Sequence, residues 1–519
     1  MSERYDLIVI GMGVGGEEVA GRVADAGLKV LAVEKNLVGG ECPYWGCIPS
    51  KMMIRAADLL AEAKRIPGLA GDSTVSPDWK PVAQRIRDQA TDDWNDKVAV
   101  ERHEKKGSTV VKGEARFVGP QSVEVNGTRY DATKGIVIAI GTDPAIPPLE
   151  GLDSVDYWTN RTATEAKEVP SSLIVLGGGP IGLELAQVFS RFGSKVTVVE
   201  MEEHLLPLEE PENGRAIGDA VREEGLEVFT GTVAKKVAKD GDEVVVTLGT
   251  DEEIRAERLL VATGRKVDLI SLGVGAAGLD EAARVIEVDE HMRAGDGLWA
   301  IGDATNHGGF THLAVYQGRI AAADILGTEH APADYSAVPR VTFTDPEVAS
   351  VGLTEKKARD DGITVKVSSA KTASSARGWL HGPGAEHGVT KLIVDADKGV
   401  LIGASTMGPR AGDVIGFLGL AVKEQIPISA LKELIYPYPT FVRGVEDALG
   451  ALDRWNRNSG PNIPWPVANT SVGIPNTSTS ETAASCSERT SPIVESSSNA
   501  RSMIEGSRPA SSREARRAA

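Results

Sequence analysis

Apolar and amphipathic stretches alternate in a fixed order near the start of the chain. Tyr5–Ile10 reads YDLIVI, the pattern of a short buried strand, and Lys29–Val33 is a second such run. Between them, a glycine-rich turn at Gly11–Gly16 leads into an amphipathic stretch at Glu17–Ala26, and Glu34 follows the second run. This order predicts a strand, a tight turn, a helix, a strand and an acidic residue.

The same order returns later in the chain. An apolar run at residues 171–176 (SSLIVL) precedes a glycine-rich turn at Gly177–Gly182, a helical stretch at Leu183–Phe192, an apolar run at residues 195–199 (KVTVV) and Glu200. The chain is therefore predicted to contain two βαβ units of the kind that binds dinucleotides.

Both turns carry glycines at G-x-G-x-x-G spacing. They are Gly11, Gly13 and Gly16 in the first unit and Gly177, Gly179 and Gly182 in the second. Such glycines let the backbone close on a pyrophosphate at a helix N-terminus, and the acid that follows accepts hydrogen bonds from a ribose diol. The motif alone matches many glycine-rich turns by chance, but the strand before it and the acid after it favour nucleotide binding.

The residues around Glu200 indicate which nucleotide the second unit binds. A carboxylate there accepts from a free 2′-hydroxyl and repels a 2′-phosphate, and residues 201–204 (MEEH) supply no Arg or Lys to hold that phosphate. We therefore expect NADH to be preferred over NADPH.

The pattern between the two units predicts further elements. Pro81–Lys106 is typical of a charged helical arm, and Gly107–Tyr130 alternates as strands do. Gly135–Pro148 reads GIVIAIGTDPAIPP, a buried strand that breaks into a Gly/Pro-rich crossover at Gly141. This crossover is a predicted hinge between domains.

Two strand-and-turn patterns follow the second unit. Arg258–Arg265 (RLLVATGR) closes that unit and contains Gly264, and Gly297–Thr305 (GLWAIGDAT) places Asp303 at the end of an apolar strand. An Asp in such a turn is weak support for a site, because turns favour Gly and Asp anyway.

A third unit is predicted to begin at Val338–Leu353. Strand patterns at Lys391–Asp395 and Val400–Ser405 alternate there with a helical stretch at Ala411–Glu424. Beyond them, residues 456–519 are rich in Ser, Thr, Pro, Asn and Ala without periodicity, so this tail is predicted to be disordered.

The length, net charge and cysteine count of the chain restrict the classes of function that it can have. A length of 519 residues predicts three domains at about 150 residues each. The net charge of -18 and the pI near 5.1 argue against nucleic acid and anionic membrane as main partners. No apolar run reaches the ~18 residues of a membrane span, and the N-terminus lacks a secretory signal, so a cytoplasmic location is expected. With only three cysteines, a disulfide would more readily be catalytic than structural.

Two of these cysteines, Cys42 and Cys47, lie in Gly39–Lys51 (GGECPYWGCIPSK). Five residues on a helix turn through about 140°, so an unbroken helix would point the two sulfurs to different faces. Pro43 and Gly46 argue against such a helix.

A helix is predicted to begin just after Cys47. Pro49 suits a first helical turn, and Ser50–Ile66 carries apolar residues at helical spacing. The partial positive charge at this N-terminus would favour a thiolate at Cys47.

Three interpretations of the pair remain open at this point. A zinc site would need about four ligands, but the third cysteine is Cys486 in the tail and the nearest histidine is His103. Two unrelated buried thiols are the usual meaning of an arbitrary C-x4-C. The nucleotide motifs nevertheless favour a redox-active disulfide. For Cys486 itself we expect no chemical role.

Seven segments occur in the order seen in one enzyme family: GMGVGG, GGECPYWGCIPSK, GTDPAIP, GGGPIGLE, ATGR, WAIGDA and FTDPEVASVG. The chain resembles the class I pyridine nucleotide-disulfide oxidoreductases, such as dihydrolipoamide dehydrogenase and mercuric reductase, over about residues 4–455. The resemblance implies an α/β fold with two Rossmann-like dinucleotide-binding domains, for FAD and NAD(P)H, and a C-terminal α+β dimerisation domain.

The resemblance also implies domain boundaries and a homodimer. The FAD domain would be discontinuous, over residues 1–152 and 268–336, with the NAD(P)H domain at residues 153–267 and the dimerisation domain at residues 337–455.

Carried over by motif, the resemblance implies roles for individual residues. Cys47 would face the flavin and form a charge-transfer thiolate, Cys42 would exchange with substrate, and Lys51 and Glu184 would lie near the reactive flavin nitrogen. The alternative for Lys51 and Glu184 is an ordinary solvated charge pair. The implied FAD contacts are Gly11, Gly13, Gly16, Glu34, Gly141 and Asp303. The implied contacts of the nicotinamide nucleotide are Gly177, Gly179, Gly182, Glu200 and Gly264.

The chain departs from the family near its C-terminus. Disulfide-reducing members carry H-P-T-x-x-E, whose His moves the thiol proton and whose Glu orients that His. Here Tyr438 and Arg443 stand in these positions, and no histidine lies beyond His387 in the sequence. Tyrosine has a reference pKa near 10, against about 6.5 for histidine, so Tyr438 is a poor base. Glu446 either orients Tyr438 or is an ordinary surface carboxylate.

Tyrosine at this position resembles mercuric reductase. The vicinal C-terminal cysteines of that enzyme are missing, however, because Cys486 is single. The sequence therefore supports an NADH-dependent reductase with a Cys42–Cys47 relay and a small-molecule acceptor, such as a metal ion, a quinone or an electrophile. Two alternatives are a dihydrolipoamide dehydrogenase component of a multienzyme complex and a flavin- and nucleotide-binding redox sensor with little turnover.

Overall fold

The structure is a computed structural model and describes residues 3–455 apart from residues 306 and 308. The predicted disordered tail, with Cys486, lies outside the described residues.

Residues 3–138 contain the first βαβ unit and the two cysteines. Their helices and strands are β1 Glu3–Ile10, α1 Val14–Asp25, β2 Val30–Glu34, α2 Glu41–Tyr44, α3 Cys47–Lys64, α4 Lys80–Arg85, α5 Lys97–Lys105, β3 Thr109–Lys112, β4 Ala115–Gly119, β5 Ser122–Val125 and β6 Thr128–Ile138.

Residues 143–266 contain the second βαβ unit. Their elements are β7 Asp143–Pro144, β8 Tyr157–Trp158, α6 Asn160–Thr164, β9 Ser172–Leu176, α7 Pro180–Arg191, β10 Lys195–Val199, α8 Pro211–Glu223, β11 Glu227–Phe229, β12 Ala234–Asp240, β13 Glu243–Leu248, β14 Glu253–Ala256, β15 Arg258–Val261 and β16 Arg265–Lys266.

The rest of the described chain first adds two strands to the first sheet and then forms the third unit. The elements are α9 Leu269–Leu272, β17 Arg293–Gly295, β18 Leu298–Ala300, α10 Thr311–Leu326, β19 Pro339–Thr342, β20 Glu347–Gly352, α11 Glu355–Asp360, β21 Val365–Lys371, α12 Ala376–His381, β22 Val389–Asp395, β23 Val400–Gly408, α13 Ala411–Lys423, α14 Ile428–Glu433 and α15 Gly444–Trp455.

The first sheet has the strand order β17-β18-β6-β1-β2-β3, and the β4–β5 hairpin pairs with its β6 strand. Strands β1, β2, β3, β6 and β18 run parallel. Apolar side chains of β1 are buried on both faces, with Leu7 and Val9 in one cluster and Ile8 and Ile10 in another. Burial on both faces is typical of parallel sheets and explains the continuous apolar run in the sequence.

Strand β18 shows that the first unit is discontinuous in sequence. Leu298 pairs in parallel with Ile136 of β6, after the chain has passed through the whole second unit. That second unit is a parallel sheet in the order β11-β10-β9-β15-β8, joined by the antiparallel strands β12-β13-β14. The third unit is an antiparallel sheet in the order β19-β20-β23-β22-β21, on which α13 and α15 pack. The α/β fold class is confirmed.

Helix α3 of the first unit and helix α7 of the second share one apolar core. Met53 and Ala57 of α3 are buried in the same cluster as Leu185 and Phe189 of α7. The helix that begins at Cys47 is therefore packed against the helix that begins at the second glycine-rich turn.

The predicted charged helical arm at Pro81–Lys106 is interrupted. Helix α4 continues into a π-helix at Ile86–Ala90, and α5 begins only at Lys97. Between them, Asp92, Asp93 and Trp94 have positive φ angles of 49°, 55° and 56°. Three successive left-handed residues cannot continue a right-handed helix, so the prediction of a single arm is wrong.

Candidate active site

The first glycine-rich turn ends at the N-terminus of α1. Gly11 has a φ of +90°, and Gly13 is the N-cap residue of the helix. The buried Glu34 accepts hydrogen bonds from the backbone N–H of Met12 and of Asn36, both at 2.7 Å. Burial raises the pKa of the Glu34 carboxyl, and these two hydrogen bonds oppose that rise. The acid thus fixes the turn that precedes the helix.

The second unit repeats this arrangement residue for residue. Gly179 is the N-cap residue of α7, and the buried Glu200 accepts from Gly178 N at 2.6 Å and from Glu202 N at 2.9 Å. In both units the acid lies 22 residues after the turn N–H that it accepts from. The two units therefore share one local design, as the sequence pattern predicts.

A cavity of about 360 Å³ connects the first turn to the cysteines. The predicted site residues that line it are Gly11, Gly13, Glu34, Cys42, Cys47, Lys51, Gly141, Glu184 and Asp303. The predicted residues that do not line it, within the described part of the chain, are Gly16, Gly177, Gly179, Gly182, Glu200, Gly264 and Tyr438. The structure thus brings the residues implied for FAD, apart from Gly16, into one cavity with both cysteines, Lys51 and Glu184, and the residues implied for the second nucleotide lie outside it.

The helical path is broken between the two cysteines. Helix α2 ends at Tyr44, and α3 begins at Cys47 with Gly46 as its N-cap residue. The predicted break is confirmed, and the helix begins at Cys47 itself rather than just after it. Both cysteines are free thiols in this structure.

The two sulfurs differ in their preference for a proton. A hydrogen bond from the Cys42 thiol lowers the pKa of Cys47 to about 6, with help from Thr311 and Lys51 and against the effect of burial. The same hydrogen bond, together with burial, raises the pKa of Cys42. Of the two, Cys47 is the sulfur that carries negative charge.

Thr311 is a contact that the sequence motifs did not indicate. Its Oγ1 lies 3.3 Å from Cys47 Sγ. Thr311 is the first residue of α10 and belongs to none of the motifs, so no local signal marks it.

Lys51 and Glu184 form an ion pair across the α3–α7 contact. Lys51 Nζ lies 2.7 Å from Glu184 Oε2, and Glu184 Oε1 accepts from the backbone N–H of Phe343 at 2.8 Å. The Lys51 ammonium also lies 4.6 Å from the centre of the Phe343 ring. One carboxylate thus joins all three units beside the cavity.

A second polar chain reaches Asp303. Asp303 Oδ2 accepts from Thr142 Oγ1 at 2.8 Å, and Thr142 Oγ1 in turn accepts from Arg265 Nε at 2.7 Å. Gly264, which precedes Arg265, has a φ of +128° and accepts through its carbonyl from Ala145 N at 2.9 Å. Gly264 therefore supports the crossover strand and lies beside the cavity wall.

Helix α6 and its C-cap residue hold the segment that carries the cysteines, through Glu41 and Trp45. Asn160 Nδ2 donates to Glu41 Oε1 at 2.6 Å and to the Trp45 carbonyl at 3.2 Å. Arg161 Nη2 lies 2.9 Å from Glu41 Oε2, and Trp45 Nε1 donates to Glu165 Oε1 at 2.7 Å. Because α6 follows β8 of the second sheet, these bonds tie the cysteine segment to the second unit.

The C-terminal substitutions lie on the surface of the chain. Tyr438 is 70 % exposed, and the Arg443 guanidinium lies 5.1 Å from the centre of its ring. Glu446 Oε2 lies 3.2 Å from Arg443 Nε, so Glu446 holds Arg443, which in turn covers Tyr438. The tertiary fold also places the ring of His381 5.6 Å from that of Phe441. The sequence did not indicate this contact, because the two residues are far apart in the chain.

An extended dinucleotide such as FAD fits the cavity. The cavity is lined by Glu34, by Gly13 at the N-terminus of α1, and by Cys47 and Lys51. The backbones of Gly13 and Gly40 lie against each other in the cavity wall, since a Cβ at Gly40 would lie 2.7 Å from Gly13 Cα. A wall of backbone without side chains beside a helix N-terminus is what a pyrophosphate requires.

The fold and the cavity define a nucleotide-dependent disulfide oxidoreductase. The family described as pyridine nucleotide-disulphide oxidoreductase matches residues 5–318, and its dimerisation domain matches residues 338–449. The chain belongs to this family. It is an enzyme of the FAD-binding, NAD(P)H-dependent type, as the sequence predicts.

Curated relatives include two kinds of enzyme. A mercuric reductase of Bacillus cereus is 36 % identical over 456 residues, covering 87 % of this chain and 72 % of the relative. A dihydrolipoyl dehydrogenase of Thermus scotoductus is 38 % identical over 466 residues, covering 87 % of this chain and 98 % of the relative.

Among solved structures, the HOCl-induced flavoprotein disulfide reductase RclA from Escherichia coli is similar. It has a TM-score of 0.75 and 26 % identity, covering 86 % of this chain and 99 % of that one. A Cu(II) complex of the same protein matches with a TM-score of 0.74 and 25 % identity, over 86 % and 99 % of the two chains. In the part of this chain that the structure describes, no helix has the length and apolar character of a membrane span.

Proposed function

We propose that the chain is an NADH-dependent flavoprotein reductase whose Cys42–Cys47 pair passes electrons to a small acceptor that needs no strong base. The observation that carries this proposal is the cavity in which both cysteines lie with Lys51 and Glu184. Tyr438 and an arginine replace the family's His/Glu dyad. This replacement disfavours acceptors that need a strong base.

The cysteines have different tasks in this proposal. FAD held by this cavity would supply the capacity to take a hydride from NADH and to pass an electron pair to the disulfide. Two electrons and one proton convert that disulfide into a Cys47 thiolate and a Cys42 thiol. Cys47 holds the charge because its pKa is lowered, and Cys42 keeps the proton because its pKa is raised. Cys42 is then the sulfur that meets the acceptor.

Lys51 supplies fixed positive charge at the inner end of the cavity. Its ammonium is held by Glu184, which the backbone of Phe343 fixes in turn. A preorganised cation of this kind stabilises negative charge that develops beside it during electron transfer.

The proposed acceptor is a soft metal ion, with a quinone or an electrophile as other members of the class. Paired thiolates suit soft metals and require no general base once deprotonated. Where the family's dyad has a histidine this chain has Tyr438, and the Arg443 guanidinium lies over its ring. The names of a mercuric reductase relative and of a Cu(II)-bound structural relative support this acceptor class.

The proposal includes the arrangement of the chain. Residues 1–152 and 268–336 would bind FAD, residues 153–267 would bind NADH, and residues 337–455 would form a homodimer that brings the exposed Tyr438 to the partner's cavity. The proposed location is the cytoplasm.

An anaerobic titration tests the relay. The purified yellow protein is titrated with NADH and, separately, with NADPH, in the native chain and in Cys42→Ser. We expect NADH to produce a long-wavelength absorption band from the Cys47 thiolate, and Cys42→Ser to show that band before any reductant is added. Flavin bleaching without the band in both proteins would rule out the relay.

Steady-state assays then separate the acceptors. Mercuric or cupric ion and a quinone are compared with an artificial dye as acceptors of electrons from NADH, and dihydrolipoamide is tested as an electron donor with NAD⁺. Turnover of dihydrolipoamide at the rate of dye reduction would support a dihydrolipoyl dehydrogenase instead. Failure to oxidise NADH with any acceptor would support a redox sensor.

A further inference from the structure

We propose that His291, Asp324 and His330 bind one divalent transition-metal ion of the Zn²⁺ type, apart from the redox cavity. One ligand atom from each side chain lies within 4.8 Å of the other two. Asp324 is in the last turn of α10, His330 follows the C-cap of that helix, and His291 precedes β17. None of the three belongs to the described lining of the redox cavity.

The His330 ring is oriented as a metal ligand. Its Nδ1 lies 3.0 Å from the carbonyl oxygen of Ala331 and donates a hydrogen bond to that oxygen. The lone pair is then on Nε2, which lies 3.8 Å from Asp324 Oδ1, too far for a hydrogen bond. Metal-binding histidines commonly hold their second nitrogen in this way.

His291 supplies a nitrogen that lacks a partner. Among the described residues, none makes a hydrogen bond to its buried Nδ1. The ring lies edge-on to that of His330, with centroids 5.0 Å apart and an interplanar angle of 83°. Buried polar atoms in proteins are almost always paired, so a ligand to this nitrogen is the simplest explanation.

Asp324 is fixed by its neighbours, with capacity left for an ion. Its Oδ2 accepts from Arg293 Nε and from Trp299 Nε1, each at 2.8 Å, and its Oδ1 lies 2.5 Å from Arg293 Nη2. Each carboxylate oxygen has two lone pairs, so Oδ1 retains one toward His330. The charge of Arg293 opposes a second cation, while the negative end of the α10 dipole favours one.

The ligand set indicates the class of metal. Two imidazoles and one carboxylate suit Zn²⁺, Co²⁺ or Ni²⁺, with water in a further position. Ligand atoms around a tetrahedral ion lie about 3.4 Å apart, so no pair of these ligand atoms has to approach by more than about 1.4 Å. The His291 and His330 side chains, which are 30 % and 15 % exposed, have room for that movement.

Zinc titration tests the site in a protein without the relay thiols. The background is the full chain without an affinity tag, carrying Cys42→Ser and Cys47→Ser, so that the relay cannot bind the ion. Zn²⁺ alone is titrated against a chromophoric chelator, and metal content is measured after dialysis. We expect one Zn²⁺ per chain, and we expect His330→Ala in this background to lower the affinity by about 100-fold.

His387→Ala is the matched control, because His387 also pairs with a surface carboxylate, Glu223 at 2.9 Å. It should bind zinc like the background. Zinc should also raise the melting temperature of the background protein and not that of His330→Ala. Equal binding by His330→Ala and the background, or no saturable binding, would overturn the site. If His330→Ala does not fold, His291→Ala decides by the same criteria.

Discussion

Cys47 Sγ lies 3.3 Å from Thr311 Oγ1, although the two residues are 264 positions apart in the chain. Cys47 is the first residue of α3, and Thr311 is the first residue of α10. The N-termini of two helices therefore meet at one sulfur. Both partial positive charges favour a thiolate there, and the hydroxyl supplies a donor to it.

Thr311→Val should raise the pKa of Cys47 from about 6. Loss of a hydrogen bond to a charged group corresponds to about one pKa unit or slightly more. Because the thiolate forms as pH rises through this pKa, the midpoint of Cys47 alkylation by iodoacetamide should move to higher pH. Peptide mass spectrometry of the reduced protein measures this midpoint. Thr311→Ser keeps the hydroxyl and should therefore show the native midpoint. An unchanged midpoint in Thr311→Val would contradict the role.

Lys51→Met should slow flavin reduction by NADH by about 100-fold, because it removes a preorganised charge from the cavity. Asp58→Asn is the matched control. Asp58 Oδ1 lies 2.7 Å from Arg191 Nη1, and this pair links α3 to α7 seven residues beyond the Lys51–Glu184 pair. The control should change the melting temperature and leave the rate within about twofold. Equal slowing in stopped-flow experiments would mean that both pairs act only through packing.

Two glycines of the second turn should respond differently to alanine. A Cβ at Gly182 would lie 2.1 Å from the Gly177 carbonyl oxygen, whereas a Cβ at Gly179 meets no atom within 4 Å. Gly182→Ala should lower the free energy of unfolding by about 1–3 kcal/mol, as overpacking does. Gly179→Ala should keep the native melting temperature and weaken NADH binding about tenfold, because its methyl group occupies the phosphate cradle. Similar melting curves for the two variants would refute this distinction.

Glu200→Ser combined with Met201→Arg should shift coenzyme use toward NADPH. The change removes a carboxylate that repels a 2′-phosphate, and it adds an arginine at a position that is 66 % exposed. We expect the ratio of kcat/KM for NADPH to that for NADH to rise about 100-fold. Glu34→Ser removes the equivalent carboxylate of the first unit and should weaken flavin retention without changing that ratio. A ratio that moves equally in both variants would argue against the assignment of the two units.

Tyr438→His combined with Arg443→Glu should confer activity with dihydrolipoamide. The pair restores a base with a reference pKa near 6.5 and a carboxylate to orient it, and a positioned base contributes about 100-fold or more. Both side chains reach solvent, so the fold should tolerate the change. Tyr438→His alone should gain less. No gain in the double variant, with dye reduction intact, would show that this surface does not reach the relay.

The sequence by itself determined the elements whose causes are local. The two βαβ units, the break between Cys42 and Cys47 and, to within a residue, the start of the helix beside Cys47 follow from apolar periodicity, from glycine and proline and from short spacings. The interrupted helical arm is an exception, because the left-handed residues at Asp92–Trp94 carry no strong local signal.

The tertiary structure decided which distant residues meet. Thr311 reaches Cys47, β18 inserts beside β6, and helix α6 holds Glu41 through contacts that span 119 to 264 positions in the chain. Such contacts depend on how whole sheets and helices pack, which no window of neighbouring residues encodes. The sequence therefore determined the parts of the relay and the helix N-terminus at which a Cys47 thiolate is favoured, and the tertiary packing brought the Thr311 hydroxyl to that sulfur.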